Sequence, residues 1–189
     1  MAPISRQRAA ALVEFQIVLL LGLLPLVLGI LQLALLLMAK HLVNYATFQA
    51  ARSGAVAAAN PDVMRRALAV GLMPLHVVSS KPVSADNITS VALAADLRSS
   101  VATTLYARLT ILKPGAPSQQ TLQQANVLQI RVSYCHELFV PLINQMLPRL
   151  LQWLDDDAWH QACYLMGRVP LVAEAAINLQ SDARFHADD

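Results

Sequence analysis

From Phe15 to Met38 only Gln16 and Gln32 interrupt an apolar run that opens behind Glu14 and closes at Lys40-His41. About 20 apolar residues rising about 1.5 Å each cross a hydrocarbon core of about 30 Å, so the pattern predicts a membrane-spanning helix over about residues 15–39. The run is longer than the roughly 7 to 15 residues of a signal-peptide core, and no small-residue cleavage site ends it. Pro25 removes one hydrogen bond inside the span and predicts a kink there. After Lys40 there is no proline before Pro61 and alanine dominates. Residues 10–59 are therefore expected to form one helix, roughly 75 Å long and less than half of it in lipid.

Past this rod the pattern shortens. Asn60-Pro61-Asp62 reads as an N-cap, a proline at the first helical position and an acid in the first turn. Val63, Met64, Ala67 and Leu68 are expected to form the apolar face of that helix, which Gly71 and Pro74 end. Residues 74–87 read as loop or extended chain, with Asn87-Ile88-Thr89 a turn rather than a glycosylation acceptor. A third helix is expected over residues 90–104, with Val91, Ala94, Leu97 and Val101 facing the core, Asp96 pointing away and Arg98 at the edge. From Tyr106 the period becomes two. Leu109 and Ile111 alternate with polar neighbours, as do Leu128, Ile130, Val132 and Tyr134, and then Leu171, Ala173, Ala175, Ile177 and Leu179. Lys113-Pro114-Gly115 breaks the first strand, and the Ser- and Gln-rich residues 116–125 read as an exposed loop. Between the second and third strands lies an insert, residues 136–162, in which Leu142, Met146, Leu150 and Leu154 share a helical face. The fold class expected is α+β: a long N-terminal helix continuing into a small domain with a three- to four-stranded antiparallel sheet.

Composition changes this picture in three places. The 189 residues allow one span plus one domain of roughly 100 to 130 residues, so the division expected is 1–9 leader, 10–59 helix, 60–180 domain and 181–189 frayed tail. A net charge of +2 from scattered basic residues leaves no footprint for nucleic acid. Arg6 and Arg8 precede the span with no acid before Glu14, which puts the N-terminus in the cytoplasm and the domain across the membrane. The only cysteines, Cys135 and Cys163, then lie in an oxidising compartment and bracket the insert, so a disulfide between them is expected.

The opening Ala-Leu-Val-Glu14-Phe15, the leucine-rich span with its Leu-Pro, Asn44-Tyr-Ala, and Ala50-Ala51-Arg52-Ser53-Gly54-Ala55 together resemble the TadE-like minor pilins, or pseudopilins, of the tight adherence (Flp, type IVb) pilus. The resemblance is strongest over about residues 6–59. In that family a prepilin peptidase cuts on the cytoplasmic side, commonly after a glycine five residues before the glutamate; here that position is Ala9, and the cut would fall between Ala9 and Ala10. The resemblance implies a single-pass bacterial inner-membrane protein with a pilin-like periplasmic domain, no cofactor, and as partners the membrane, the prepilin peptidase, major and minor pilins and the assembly platform. Glu14 and Phe15 become candidates for assembly, the amine of Ala10 in one subunit seeking the Glu14 of another; the alternative is a carboxylate resting among headgroups. Arg52 is a candidate bridge to a neighbouring subunit or else a solvated arginine.

Catalytic chemistry finds little here. The chain has no glycine-rich phosphate loop, nucleophile elbow or pair of histidines at ligand spacing on a helix. Asp155-Asp156-Asp157 with His136, Glu137 and His160 is better read as a solvated turn and helix cap than as a metal site. Trp153 and Trp159 are expected to be core residues of the insert, with partner docking or a membrane interface as the alternative. The function expected is a minor pilin or pseudopilin, not an enzyme; the alternative is a membrane-anchored periplasmic binding module that never enters a filament.

Overall fold

The computed structural model describes residues 13–77, 87–113, 127–140 and 143–180. The Ala9-Ala10 pair, the connection 116–125, Leu142 and the tail 181–189 lie outside the described residues. Helix α1, Val13–Val56, is long and apolar enough to cross a membrane, and only 6% of its most apolar stretch is buried in the protein. Ahead of Pro25 the helix widens into a π-helical stretch, Leu19–Leu23, closed by the Leu24 N–H on the Leu19 carbonyl. A wider turn is one way a helix accommodates a proline ring and its missing donor.

Beyond Gln32 a stripe of α1 becomes buried at three- and four-residue spacing: Ala39, Val43, Ala46, Thr47, Ala50, Ala51, Gly54 and Ala55. Thr47 answers its own hydroxyl by donating to the Val43 carbonyl at 2.7 Å. The helix ends at Val56, three residues before the expected Ala59. Asn60 precedes a proline and must be extended, with ψ at 119°. The chain therefore reverses within Ala57 to Ala59, with Ala58 and Ala59 in the left-handed region and the Ala59 N–H on the Gly54 carbonyl at 2.8 Å.

Helix α2, Pro61–Leu72, starts as the sequence implies, Asn60 accepting from the Asp62 N–H at 2.9 Å. It folds back along α1 and ends in a 3₁₀ turn, Met73–His76. Its buried face is Met64, Leu68, Ala69, Gly71 and Leu72, so Val63 is turned outward. Helix α3, Ile88–Tyr106, is rotated further from expectation. Ala95, Ser99, Ala102 and Thr103 are buried and Asp96 is half-buried, while Leu97 and Val101 stand exposed. Small residues allow α3 to lie close to its neighbours, and Ser99 and Thr103 donate to the carbonyls of Asp96 and Ser99, so their burial leaves no hydroxyl unmet.

The sheet is an antiparallel meander β1-β2-β3 of Ala107–Lys113, Val127–Glu137 and Arg168–Asn178. The alternation read in the sequence is kept in β2 and β3: Leu128, Ile130, Val132, Tyr134 and Ala173 join Val43, Ala50, Met64 and Leu68 in one core between the sheet and the α1–α2 pair. In β1 Leu109 packs on this core, but Ile111 is exposed, ahead of a register shift between Ile111 and Lys113. On the outer face Arg131 and Glu174, directly paired across β2 and β3, form a salt bridge at 2.7 Å. Helices α4, Ile143–Gln152, and α5, Ala158–Leu165, make up the insert between β2 and β3.

Candidate assembly and membrane-proximal site

Three ties fix the orientation of the domain on α1. The Gln180 N–H donates to the Ala55 carbonyl at 3.1 Å at one end. Lys40 Nζ donates to the Val172 carbonyl farther down, and the Val140 N–H donates to Gln32 Oε1 at 2.9 Å at the other end. Strand β3 thus runs parallel to α1 and β2 runs back toward the apolar stretch, delivering the insert beside Gln32. Gln32 is 1% exposed although it sits within an apolar run. Gln32 and Lys40 tie the domain to α1, roles the sequence does not assign; the signal for Gln32 is a polar residue within an apolar run.

Below Gln32, residues 13–31 carry no buried side chain. Glu14 and Phe15 stand exposed at the foot of this stretch. Arg52 is far up the same helix, exposed beside a groove that Tyr45, Gln49 and Val56 of α1 share with Val70 and Pro74. The fold therefore leaves Glu14 and Arg52 on one helix, separated by about 57 Å at about 1.5 Å per residue, and does not bring them together.

At the end of the sheet nearest Gln32 a polar cluster gathers around two buried side chains, Tyr134 and His136. Arg168 lies 4.0 Å over the Tyr106 ring and pairs with Glu137 at 3.1 Å. Burial, and after it the Arg168 charge, holds the His136 imidazole down at about 4 and also lowers His76. Burial pushes Tyr134 up to about 12, and its hydroxyl lies within hydrogen-bond distance of His76 Nε2, 3.1 Å away. Tyr134 and His136 are the buried members of this cluster, while Glu137 is exposed.

On the outer face of the sheet Cys135 is joined to Cys163 of α5 by a disulfide, Cα to Cα 5.5 Å. Asp157 caps α5 by accepting from the Trp159 and His160 N–H groups at 2.8 and 3.2 Å. Asp155 accepts from the Asp157 N–H, from His160 Nδ1 at 2.7 Å and from the Tyr164 hydroxyl at 3.1 Å. These bonds, the backbone one first, lower the Asp155 carboxyl. The aspartates are a turn and a cap. Trp153 corrects the sequence reading: it is 90% exposed, not core, while Trp159 is half-buried.

An exposed apolar rod carrying one carboxylate at its foot, with a domain hung on its upper half, is the arrangement in which the comparison with known proteins applies. Residues 9–52 match the family model of TadE-like proteins. The TadE-like segment is the one that carries Glu14, Phe15, Gln32 and Arg52, and it ends inside α1, before any of the sheet. Its presence suggests involvement in a Tad pilus system, and TadE-like proteins are not enzymatic in general. The TadE-like helix is compatible with a membrane anchor. No curated protein and no solved structure matches the chain.

Proposed function

We propose that the protein is a minor pilin or pseudopilin that takes part in assembly of a tight adherence (Flp-type) pilus through α1. The observation that carries this reading is the exposed stretch 13–31, with Glu14 and Phe15 at its foot, inside the TadE-like match. A leader of residues 1–9 is removed by a prepilin peptidase, leaving the amine of Ala10 about one turn from Glu14. Opposite charges at that depth are better paired than separate, and pairing between subunits sets the axial register of neighbouring helices. Arg52 supplies a second contact to major or minor pilins or to the assembly platform. Glu14→Gln is expected to insert and fold normally but to lose crosslinks to neighbouring pilins; unchanged crosslinking sinks the role of Glu14. Intact-mass measurement in a host with an active peptidase tests the cut, and finding only full-length chain favours a permanent anchor.

The second reading, a membrane-anchored periplasmic binding module, draws on α3, where Leu93, Leu97, Val101 and Leu105 form an exposed stripe. Such a stripe is a surface for a protein partner. Retention of the leader with a full complement of soluble contacts distinguishes it from the pilin.

A further inference from the structure

Among the described residues, the insert leaves a second apolar surface uncovered. Phe139, Met146, Leu150, Trp153, Leu154 and Leu165 are all exposed, Leu154 and Leu165 at 78% and Trp153 at 90%. Along α4, Met146 and Leu150 are one turn apart and Trp153 and Leu154 continue the stripe beyond its end, while Leu147 and Leu151 on another side are half-buried. The helix is apolar on the side that meets the domain and again on a side that no described residue covers.

The depth of this surface follows from the ties on α1. Val140 is held to Gln32, and α4 begins three residues later. Residues 13–31 are the part of α1 with no buried side chain, and at about 1.5 Å per residue they measure about 28 Å, the thickness of one hydrocarbon core. From Gln32 to Ala39 the domain covers one side of the helix while Leu33, Leu37 and Met38 stay exposed. A bilayer around residues 13–31 has its surface near Gln32, and one extending to Met38, as the 15–39 span read from the sequence does, takes the insert deeper; in both cases the exposed face of the insert is continuous with the span. Tryptophan is enriched at that level, and an amphipathic helix lies there with its apolar side among the acyl chains.

We propose that α4 and its flanks form an interfacial platform, with Met146, Leu150, Trp153 and Leu154 inserted in the leaflet from which α1 emerges. The occupant of the face is lipid. This rests on the reading that α1 spans a bilayer. The platform holds the domain in a fixed pose against the membrane, which a single helix does not do, since a lone span leaves its domain free to rotate and tilt. It also gives the insert a use for large apolar residues that the core does not need.

The full chain, reconstituted in phosphatidylcholine vesicles brominated near the headgroup or near the chain ends, tests this. Trp153 has little protein contact to lose, so subtracting the Trp153→Phe emission from that of the wild type isolates it. That component is expected to fall at least twofold with the shallow bromines and less with the deep ones. Leu24→Trp in the Trp153→Phe chain marks the span and is expected to respond most to the deep bromines. Quenching at Leu24→Trp without quenching of Trp153 overturns the platform and leaves the membrane reading intact. A Trp153 emission that changes with protein-to-lipid ratio but not with bromine overturns it in favour of a second copy. Quenching at neither position overturns the membrane reading and the platform with it.

Discussion

Gly71→Ala probes the contact on which the α1–α2 pair depends. A Cβ added at Gly71 would lie 2.6 Å from Ala46 Cα and 2.7 Å from Ala46 Cβ. Carbon atoms settle about 3.5 to 4.0 Å apart, so the deficit is about 1 Å. It falls on backbone, and no rotamer change relieves it. The helices must separate, which loosens Met64, Leu68 and Leu72 against the stripe on α1. Overpacking of this kind costs about 1 to 3 kcal/mol, and exchanging glycine for alanine in a helix returns at most about 1 kcal/mol. The expected net loss is about 1 kcal/mol, or roughly 4 °C in thermal midpoint for a domain of this size. Gly54→Ala is the matched comparison: its Cβ would approach Met64 Sδ at 2.5 Å, Met64 Cγ at 2.7 Å and Leu128 Cδ2 at 3.0 Å, all atoms of side chains, of which Met64 is the most adaptable, rather than backbone. Thermal unfolding of the detergent-solubilised chain, followed by near-UV circular dichroism, should rank wild type above Gly54→Ala above Gly71→Ala. A Gly71→Ala protein as stable as wild type would refute the close approach of α2 to Ala46.

Replacing Cys135 and Cys163 together by alanine opens a 28-residue loop and should cost roughly 3 to 4 kcal/mol on the chain-entropy model; full alkylation of both cysteines without reductant would remove the premise. Gln32→Leu takes the acceptor from the buried Val140 N–H, an unmade bond worth about 1 to 3 kcal/mol, and amide exchange across 138–154 should speed accordingly. His136 stays neutral in the fold to about 4, whereas unfolded histidine binds its proton near 6.5, so the unfolded state takes up more protons between these values. Its contribution is complete above about pH 6.5 and is lost as pH falls through about 4, on the order of 3 kcal/mol at most. His136→Phe should flatten the pH dependence of the melting temperature in that window, with His76 supplying the remaining slope in the same direction; parallel curves for variant and wild type would contradict the burial.

Much of the architecture was written in local pattern. The apolar run ahead of Lys40, the cap at Asn60-Pro61 and the three period-two stretches determine α1, the start of α2 and the strands, because each rests on near neighbours: hydrogen bonds four residues apart, a side chain reaching its own helix end, alternate residues facing one core. Cys135 and Cys163 bracket the insert in the sequence and are bonded in the fold. The face a helix buries was another matter. Helix α3 has leucine and valine along one side and alanine, serine and threonine along another, and period alone assigns the larger residues to the core. Close approach to α2 and the sheet selects the small side instead, since the hydroxyls of Ser99 and Thr103 are met within their own helix. Trp153 fails the same inference. Its hydrophobicity predicts burial, but the insert is anchored by the disulfide and by the Val140–Gln32 bond, and those long-range ties turn α4 so that Trp153 faces outward. Gln32 is the clearest case: one polar residue in an apolar run has no meaning until β2, more than a hundred positions later, returns the chain to its side.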